Sequence, residues 1–399
     1  MLIFCGIQPG SSGVGRVMSF LSKEADRFRS NREIRLFFGT TGSPSIKSLL
    51  IRKRIFDATK TLLTRVIRKH TLKRTLTNQL ALEAKSVILI HPQTLGFEWC
   101  INFIRKRIHP TWIYVMDSSF FCVQSYNHVN GETKPCVRCL GGNTQSAIQL
   151  GCRPFPVVDP WALTYIQELK TLATQGKVRF LAQNEKQSEL ITKQFGSDTI
   201  VRIVGLWATD WDNINNVSRS TAKVNQNEAT FDVVFHGAPV EAKGVEWSIE
   251  LARECPELSF LFPFNKTSLS SSNLATLPSN CQFKEMTWED GLDKAIAKAA
   301  ITLVPSLWSA PIEGAFVKSM MLGRAVAIVD NVDAYPSEIP HGLTLKLPVD
   351  TKKAAHILSS SIMSNWQPDP EQLREWIDCF SERNRGLIDN ISAHTNEQH

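Results

Sequence analysis

The sequence predicts an α/β protein of two domains, each an open parallel sheet covered by helices. Its 399 residues exceed the size at which a single hydrophobic core stops growing. Short apolar runs rich in β-branched and aromatic residues alternate with helical patterns in both halves. A composition of 43% hydrophobic and 21% charged residues is typical of a globular protein. No apolar run approaches the roughly 18 residues that span a bilayer.

Two groups of apolar runs mark the two sheets. The first-half candidate strands are 2–7, 34–39, 86–91, 111–116, 178–183 and 200–207, and the second-half ones are 231–237, 258–264, 280–286, 301–306 and 325–330. Between them lies a polar stretch without apolar periodicity. We therefore expect a first domain over 1–207, a linker over 208–230 and a second domain over 231–366. The remaining residues, 367–399, predict a helical segment that packs back on the first domain.

The N-terminus and the cysteines predict where the protein works. The opening MLIFCGIQPGSSG is apolar over too short a stretch for a signal peptide and lacks a basic leader. Nine cysteines at scattered spacings do not suggest a disulfide framework. We therefore expect a cytoplasmic protein.

The net charge of +7 comes from one segment. Residues 47–74 hold ten Lys/Arg and one acid, whereas the rest of the chain carries 35 basic and 37 acidic residues. Apolar residues recur there at helical spacing, which predicts an amphipathic helix or helix pair. It could lie peripherally on an anionic membrane surface, attract an anionic acceptor or be a solvated face. Nucleic acid is disfavoured because the segment has no interleaved aromatic platform and no recognised nucleic-acid-binding motif.

Two segments of the second half occur in a characteristic order. VVFHGAPVEAKGVEWSIELA (233–252) reads as strand, glycine turn, Lys-Gly and helix, and PSLWSAPIEGAFVKSMMLGRAVAIVD (305–330) follows later. This order resembles the second domain of GT-B-fold glycosyltransferases, most closely the family-4-type retaining enzymes. The resemblance covers 231–350 and is only architectural before that. It implies two Rossmann-like domains facing each other across a cleft.

The resemblance also implies an activity, the transfer of a sugar from a nucleotide-sugar donor to a glycan or lipid-linked acceptor. The products would be cell-surface polysaccharides or glycoconjugates. Two alternatives stay open: a degenerate, non-catalytic partner of an active transferase, and a sugar epimerase or phosphorylase on the same fold.

The first of the two segments supplies donor-binding candidates. Lys243 falls where the family places a diphosphate-binding lysine, whereas its usual arginine partner is replaced near Ala238. Gly237 lies in the turn after the strand, where a glycine permits close approach of the backbone to a phosphate.

The second segment departs from the family pattern. The two glutamates that contact sugar and ribose in the family are replaced by Ala310 and Lys318, and Glu313 occupies a position that is usually glycine. We expect Glu313 to be directed at a sugar hydroxyl, with the amides from Gly314 onward and Ser306 near the phosphates. Lys318 would meet a phosphate or Glu313. The alternative is a helix-start acid and a solvated lysine.

Trp288 follows a strand where the family holds the nucleotide base; a buried core tryptophan is equally compatible with the sequence.

Four residues of the first half are further candidates. Gly13 and Arg16 lie in the glycine loop after the first strand, where the resembled fold faces donor phosphates and acceptor. The pattern is not a dinucleotide-binding fingerprint. His91 and Asp117 end two strands, so they belong at the edge where open sheets bind ligands. Asp117 could orient an acceptor hydroxyl, act as a base or cap a turn.

Cysteines in the loop 118–155 have the spacing of a metal knuckle. Cys122, Cys136, Cys139 and Cys152 give C-x13-C-x2-C-x12-C, which predicts a structural zinc site. Free thiols and an iron–sulfur cluster are the alternatives. A catalytic metal is not expected, because four protein ligands would close the site.

Overall fold

The structure, a computed structural model, describes residues 1–10, 13–27, 34–41, 55–76, 78–212, 214, 231–269 and 276–396. The chain folds as two compact units. The first unit comprises Met1–Tyr126, Val137–Asp210 and Arg383–His399, and the second comprises Asn127–Cys136 and Trp211–Glu382. Most of the predicted linker and residues 47–54 of the basic segment lie outside the described residues.

The first unit is a six-stranded parallel sheet in the order β2-β1-β3-β4-β5-β6. Its strands are β1 (Leu2–Ile7), β2 (Arg35–Thr41), β3 (Val87–Ile90), β4 (Thr111–Tyr114), β5 (Val178–Ala182) and β6 (Val201–Ile203). Its helices up to the second unit are α1 (Gly13–Arg27), α2 (Ile55–Leu76), α3 (Gln79–Glu83), α4 (Pro92–Leu95), α5 (Phe97–Lys106), α6 (Gln145–Gln149), α7 (Ala162–Thr174) and α8 (Glu185–Phe195).

Helices cover this sheet because its central strands are apolar on both faces. Every residue of β3 and β4 is buried, so these strands read as continuous apolar runs rather than alternating ones. The sequence also sets helix ends. The Asn184 side chain accepts a hydrogen bond from Gln187 N at the start of α8, and Gly196 follows its last residue with φ of 101°.

The second unit repeats the architecture, with parallel strands in the order β12-β11-β10-β7-β8-β9. Its strands are β7 (Val233–Phe235), β8 (Phe260–Phe262), β9 (Cys281–Phe283), β10 (Ile301–Val304), β11 (Val326–Val329) and β12 (Leu345–Leu347). The later helices are α9 (Val245–Glu254), α10 (Asp293–Lys298), α11 (Gly314–Met321), α12 (Thr351–Met363), α13 (Pro370–Arg385) and α14 (Leu387–Asn396). Of these, α14 belongs to the first unit.

The predicted fold class is confirmed: the chain is α/β, with two open parallel sheets of six strands each. Each predicted strand overlaps an observed one; the first agrees at both ends, and β2 extends two residues beyond its predicted end. Two other details differ. β12 was not predicted, and the C-terminal segment forms two helices that break at Gly386. Among the described helices, none is both long and apolar enough to cross a membrane.

Candidate functional site

Each sheet has a switch point, where the order of strands reverses. In the second unit this point lies between β7 and β10, because β8 and β9 extend the sheet on one side and β11 and β12 on the other. Open α/β sheets bind ligands at the carboxyl ends of the two strands that flank such a point. His236 and Gly237 directly follow β7, and Pro305 and Ser306 directly follow β10.

A buried ion pair lies at this edge of the second unit. Lys243 Nζ donates to Glu313 Oε1, and the two side chains are only 12% and 9% exposed. The same oxygen accepts from Ser306 Oγ at 2.7 Å and from Trp308 Nε1 at 2.9 Å. Lys243 Nζ also lies 4.8 Å from the centroid of the Trp308 ring. The cluster thus fixes the position of one cation with one carboxylate.

The Lys-Gly turn brings Lys243 to this place. Gly244 has a φ of +75°, and a Cβ there would lie 2.1 Å from the Pro305 carbonyl oxygen. Only glycine satisfies both the left-handed conformation and this approach of the turn to the β10 loop. The turn after β7 and the turn after β10 are therefore packed against each other.

The start of α11 is not capped by its own side chain. Glu313 is the N-cap residue, yet its carboxylate makes no hydrogen bond to the helix amides. The side chain is directed to Lys243, Ser306 and Trp308 instead. The amides that begin at Gly314, together with the positive end of the helix dipole, are suited to an anion.

Lys318 is buried within the same helix. Its side chain is almost inaccessible, with 1% exposure, and Nζ lies 4.3 Å from the centroid of the Trp288 ring. Trp288 is only partly buried and stacks on His236, with ring centroids 5.6 Å apart. His236 Nδ1 in turn lies 2.9 Å from Ser319 Oγ. A cation, an indole and an imidazole therefore form a second cluster beside the ion pair.

These contacts revise the expectations for the segment. Glu313 pairs with Lys243 and not with Lys318, because the turn after β7 reaches the start of α11 while Lys318 lies beyond the first helical turn. Glu313 Oε1 accepts hydrogen bonds from three protein donors rather than being directed at open space. Lys318 is not a solvated side chain.

In the first unit, the switch point lies between β1 and β3, and His91 directly follows β3. His91 has a left-handed backbone with φ of 55° and ψ of 68°, which costs a non-glycine residue roughly 1–2 kcal/mol. Its Nε2 lies 3.4 Å from Asp117 Oδ2, and its Nδ1 lies 3.2 Å from Thr94 Oγ1. Strained residues of this kind occur preferentially at functional sites.

Asp117 is held ionised. Burial by itself raises the pKa of its carboxyl, but the hydrogen bond and charge of His91 and the hydrogen bonds from Ser119 outweigh burial. The net effect lowers the pKa below its ordinary value of 3.8. His91 and Asp117 are both 8% exposed, so the pair is a buried, polar contact at the ligand-binding edge.

Gly13 and Arg16 of the first unit lie in the first turn of α1. Gly13 begins α1, and a Cβ there would meet no atom within 4 Å, so close packing does not require a glycine. Arg16 Nε lies 3.5 Å from Asp210 Oδ2, which gives its charge a partner within the same unit.

The four loop cysteines do not assemble into the expected zinc site. Across the described part of the chain, no three His, Cys, Asp or Glu side chains are grouped to hold a metal ion. Cys122 and Cys139 are part of the first unit's hydrophobic core, and Cys152 packs against it. Cys136 belongs to the ten-residue segment of the second unit. Cys122, Cys136 and Cys139 are buried, as small apolar side chains commonly are, and Cys152 is partly exposed.

That segment supplies contacts that the sequence did not predict. Asn127, which is completely buried, donates from Nδ2 to Ser309 Oγ at 3.0 Å and accepts from Ser309 N at 3.0 Å. It also donates to the Cys136 carbonyl at 3.1 Å. Asn127 thereby anchors the loop between β10 and α11. An isolated asparagine carries no spacing signal that would have revealed this.

No protein-family model and no curated protein matches the chain. Solved structures match along its whole length. HepE of Anabaena in complex with UDP-glucose is 14% identical, with a TM-score of 0.57 and 99% of each chain covered. Sucrose-phosphate synthase from Thermosynechococcus elongatus is 11% identical, with a TM-score of 0.59 and 99% of this chain and 97% of that chain covered.

An α,α-trehalose-phosphate synthase from Burkholderia xenovorans, in complex with glucose 6-phosphate, is 9% identical, with a TM-score of 0.56 and 99% of each chain covered. These similarities show that the chain has the GT-B fold. Fold alone does not assign an activity, which has to be argued from the sites.

Proposed function

We propose that the protein is a glycosyltransferase that moves a sugar from a nucleotide-sugar donor to a glycan or lipid-linked acceptor. The observation that carries the proposal is the cationic cluster at the switch point of the second unit. There, Lys243 pairs with the carboxylate of Glu313, and Lys318 lies farther along α11. Cations at the carboxyl ends of parallel strands suit a diphosphate.

The donor diphosphate lies against Lys243 and the first amides of α11, and the buried Lys318 adds positive charge farther along the same helix. Glu313 acts as a positioning residue, because its carboxylate holds Lys243 through a buried ion pair. The nucleoside base lies against the partly buried ring of Trp288. Among proteins of this fold, HepE has been solved with UDP-glucose, which supports a sugar nucleotide as the ligand class.

The acceptor hydroxyl lies near His91 and Asp117 of the first unit. An ionised, buried carboxylate accepts a hydrogen bond from a hydroxyl group and orients that hydroxyl. His91 in its neutral form, with Nε2 3.4 Å from Asp117 Oδ2, then takes up the proton that the hydroxyl releases. Both groups are candidates for catalytic residues in this sense.

A lipid-linked acceptor would require contact with a membrane, and α2 supports one. Five large apolar side chains on this helix are more than half exposed: Ile55, Phe56, Leu62, Leu63 and Ile67. At 3.6 residues per turn they fall within an arc of about 140°. The helix sequence also carries six Lys/Arg and one acid. We propose that α2 lies peripherally on an anionic lipid surface.

Calorimetric titration of the full chain with a panel of nucleotide sugars tests the donor site. We expect saturable binding by at least one of them, and release of the nucleoside diphosphate when a suitable acceptor is added. Lys243→Gln should weaken binding at least tenfold, because a charged hydrogen bond to phosphate is lost. The control is Lys186→Gln, which removes the lysine of an exposed pair with Glu189. Absence of binding by every nucleotide sugar would contradict the proposal.

Sedimentation with vesicles tests the membrane contact. We expect the protein to bind vesicles of phosphatidylserine and phosphatidylcholine more strongly than pure phosphatidylcholine. Phe56→Ser with Ile67→Ser should lower this binding, whereas Val332→Ser, which removes an exposed apolar side chain of the second unit, should not. If the Phe56→Ser, Ile67→Ser double variant and the Val332→Ser variant bind vesicles equally, α2 does not contact the membrane.

A further inference from the structure

A cavity opens at the opposite edge of the second sheet, where the strands begin. Asp232 directly precedes β7, Lys298 ends α10 shortly before β10, and Arg324 shortly precedes β11. Their side chains, together with the end of α12, line a space of about 170 Å³, which we name the amino-edge cavity. Because all strands of the sheet are parallel, this cavity and the Lys243–Glu313 pair lie at opposite edges.

The charges in the amino-edge cavity favour an anion. Arg324 and Lys298 face a single acid, Asp232, whose Oδ2 already accepts from Ser259 N and Ser259 Oγ, each at 2.7 Å. Arg324 is half-buried, yet within the described part of the chain it has no hydrogen-bond or ion-pair partner. Burial without a partner lowers the pKa of its guanidinium below the usual range. An anionic ligand would satisfy its donors.

The nearby helix end does not explain Arg324. Basic side chains often bond the last carbonyls of a helix. At the end of α12, however, the Ser361 carbonyl accepts from Trp366 N at 2.9 Å and the Ile362 carbonyl accepts from Asn365 N at 3.0 Å. These carbonyls are satisfied by the backbone turn itself.

The rest of the lining fits a polar ring. Trp366 offers an indole, and Asn365 and Gln367 offer amides on either side of it. Asn365 has a φ of +52°, so the turn that presents these side chains is a fixed left-handed one. A volume of about 170 Å³ is close to the roughly 150 Å³ cavity that holds one benzene ring. The space therefore accommodates one six-membered ring.

We propose that the amino-edge cavity binds a phosphorylated monosaccharide, with its phosphate against Arg324 and Lys298 and its ring against Trp366. The site is separate from the proposed donor site and does not depend on it. Sugars commonly present an apolar face to indoles while their hydroxyls bond to amides, which matches this lining.

Calorimetric titration with glucose 6-phosphate tests the proposal, with inorganic phosphate and glucose as partial ligands. We expect saturable binding of glucose 6-phosphate, weaker binding of phosphate and the weakest binding of glucose. Arg324→Gln should lower the affinity for glucose 6-phosphate at least tenfold, and Arg324→Lys should restore part of it. Arg253→Gln is the control, because Arg253 is an exposed arginine of the same unit that pairs with Glu250. Its affinity should equal that of the unmodified protein.

A competition experiment distinguishes binding in the amino-edge cavity from binding at the proposed donor site. Saturating UDP should leave the binding of glucose 6-phosphate unchanged. Displacement by UDP, or loss of binding in Lys243→Gln but not in Arg324→Gln, would place the ligand elsewhere and overturn the proposal. Absence of binding to the unmodified protein would overturn it too. Lys298→Gln provides a second cavity variant if Arg324→Gln fails to fold, and its affinity should fall at least threefold. An unchanged affinity in Lys298→Gln would contradict the proposal.

Discussion

Replacing Glu313 by glutamine should destabilise the second unit. It should also increase the rise in Tm that a bound diphosphate produces. Glu313 Oε1 accepts from Lys243, Ser306 and Trp308, and both members of the ion pair are nearly buried. Glutamine keeps an acceptor for the hydroxyl and the indole but leaves the ammonium without its counter-charge. Hydrogen bonds to charged groups contribute about 1.5–3 kcal/mol, and bonds to a neutral acceptor about half as much.

The loss at Lys243 and the weakening of the other two bonds together amount to about 3 kcal/mol, at the lower end of the cost of breaking a buried pair. For a unit of this size that corresponds to a fall of about 6–12 °C in Tm. Differential scanning calorimetry of the full chain measures it. Glu250→Gln serves as the control, because it breaks an exposed pair with Arg253 and should lower Tm by no more than about 2–4 °C.

The ligand response provides the second readout. In Glu313→Gln, the Glu313 carboxylate no longer competes with a phosphate for the Lys243 ammonium, so UDP should raise Tm more than it does in the unmodified protein. A fall in Tm no larger than that of Glu250→Gln would refute the assignment of a buried ion pair. A UDP response no larger than that of the unmodified protein would refute the competition between the Glu313 carboxylate and a phosphate for Lys243.

Three further outcomes are expected. Because its folded-state pKa is lowered, ionised Asp117 stabilises the fold above its ordinary pKa of 3.8, and this contribution is lost as pH falls through the folded value. The difference in Tm between the unmodified protein and Asp117→Asn should therefore shrink between pH 5 and pH 3. A constant difference would contradict the pKa shift. Gly244→Ala should lower Tm more than Gly176→Ala, because both glycines have φ near +70° but only at Gly244 would a Cβ lie against a main-chain carbonyl. Equal losses of Tm would mean that backbone strain alone causes the destabilisation. Thiol labelling at pH 8 should modify the exposed Cys379 at once but should modify Cys5 only after the protein unfolds. The Cys5 thiol is buried, which raises its pKa to about 12. Early labelling of Cys5 would show that β1 opens locally.

The strands were predictable because parallel strands between helices are apolar on both faces. Runs such as VILI in β3 and ITLV in β10 have no polar residue on either side of the sheet that would interrupt the pattern, apart from one buried threonine. β12 lacks this signature. Its sequence, LKL, alternates with a lysine because β12 is an edge strand, and three alternating residues are too few to indicate a strand.

Individual site residues were easier to predict than their partners. Lys243 and Glu313 were both expected at the donor site, but their pairing depends on β7 lying beside β10, which brings together turns that are 70 residues apart. His91 and Asp117 follow neighbouring strands, so their contact was implicit in the strand order. His236 was missed, because a histidine after a strand has no spacing partner that would mark it.

The anchoring of Asn127 to Ser309 has a consequence for how this protein can be taken apart. Residues 127–136 belong to the second unit although they interrupt the sequence of the first, and Arg383–His399 return to the first unit after the second. A fragment cut between residues 210 and 231 would therefore lose the amide that holds the β10 loop in place. Neither unit is formed by one continuous segment of the chain. Chimeras that exchange the second unit between proteins of this fold must carry residues 127–136 with it.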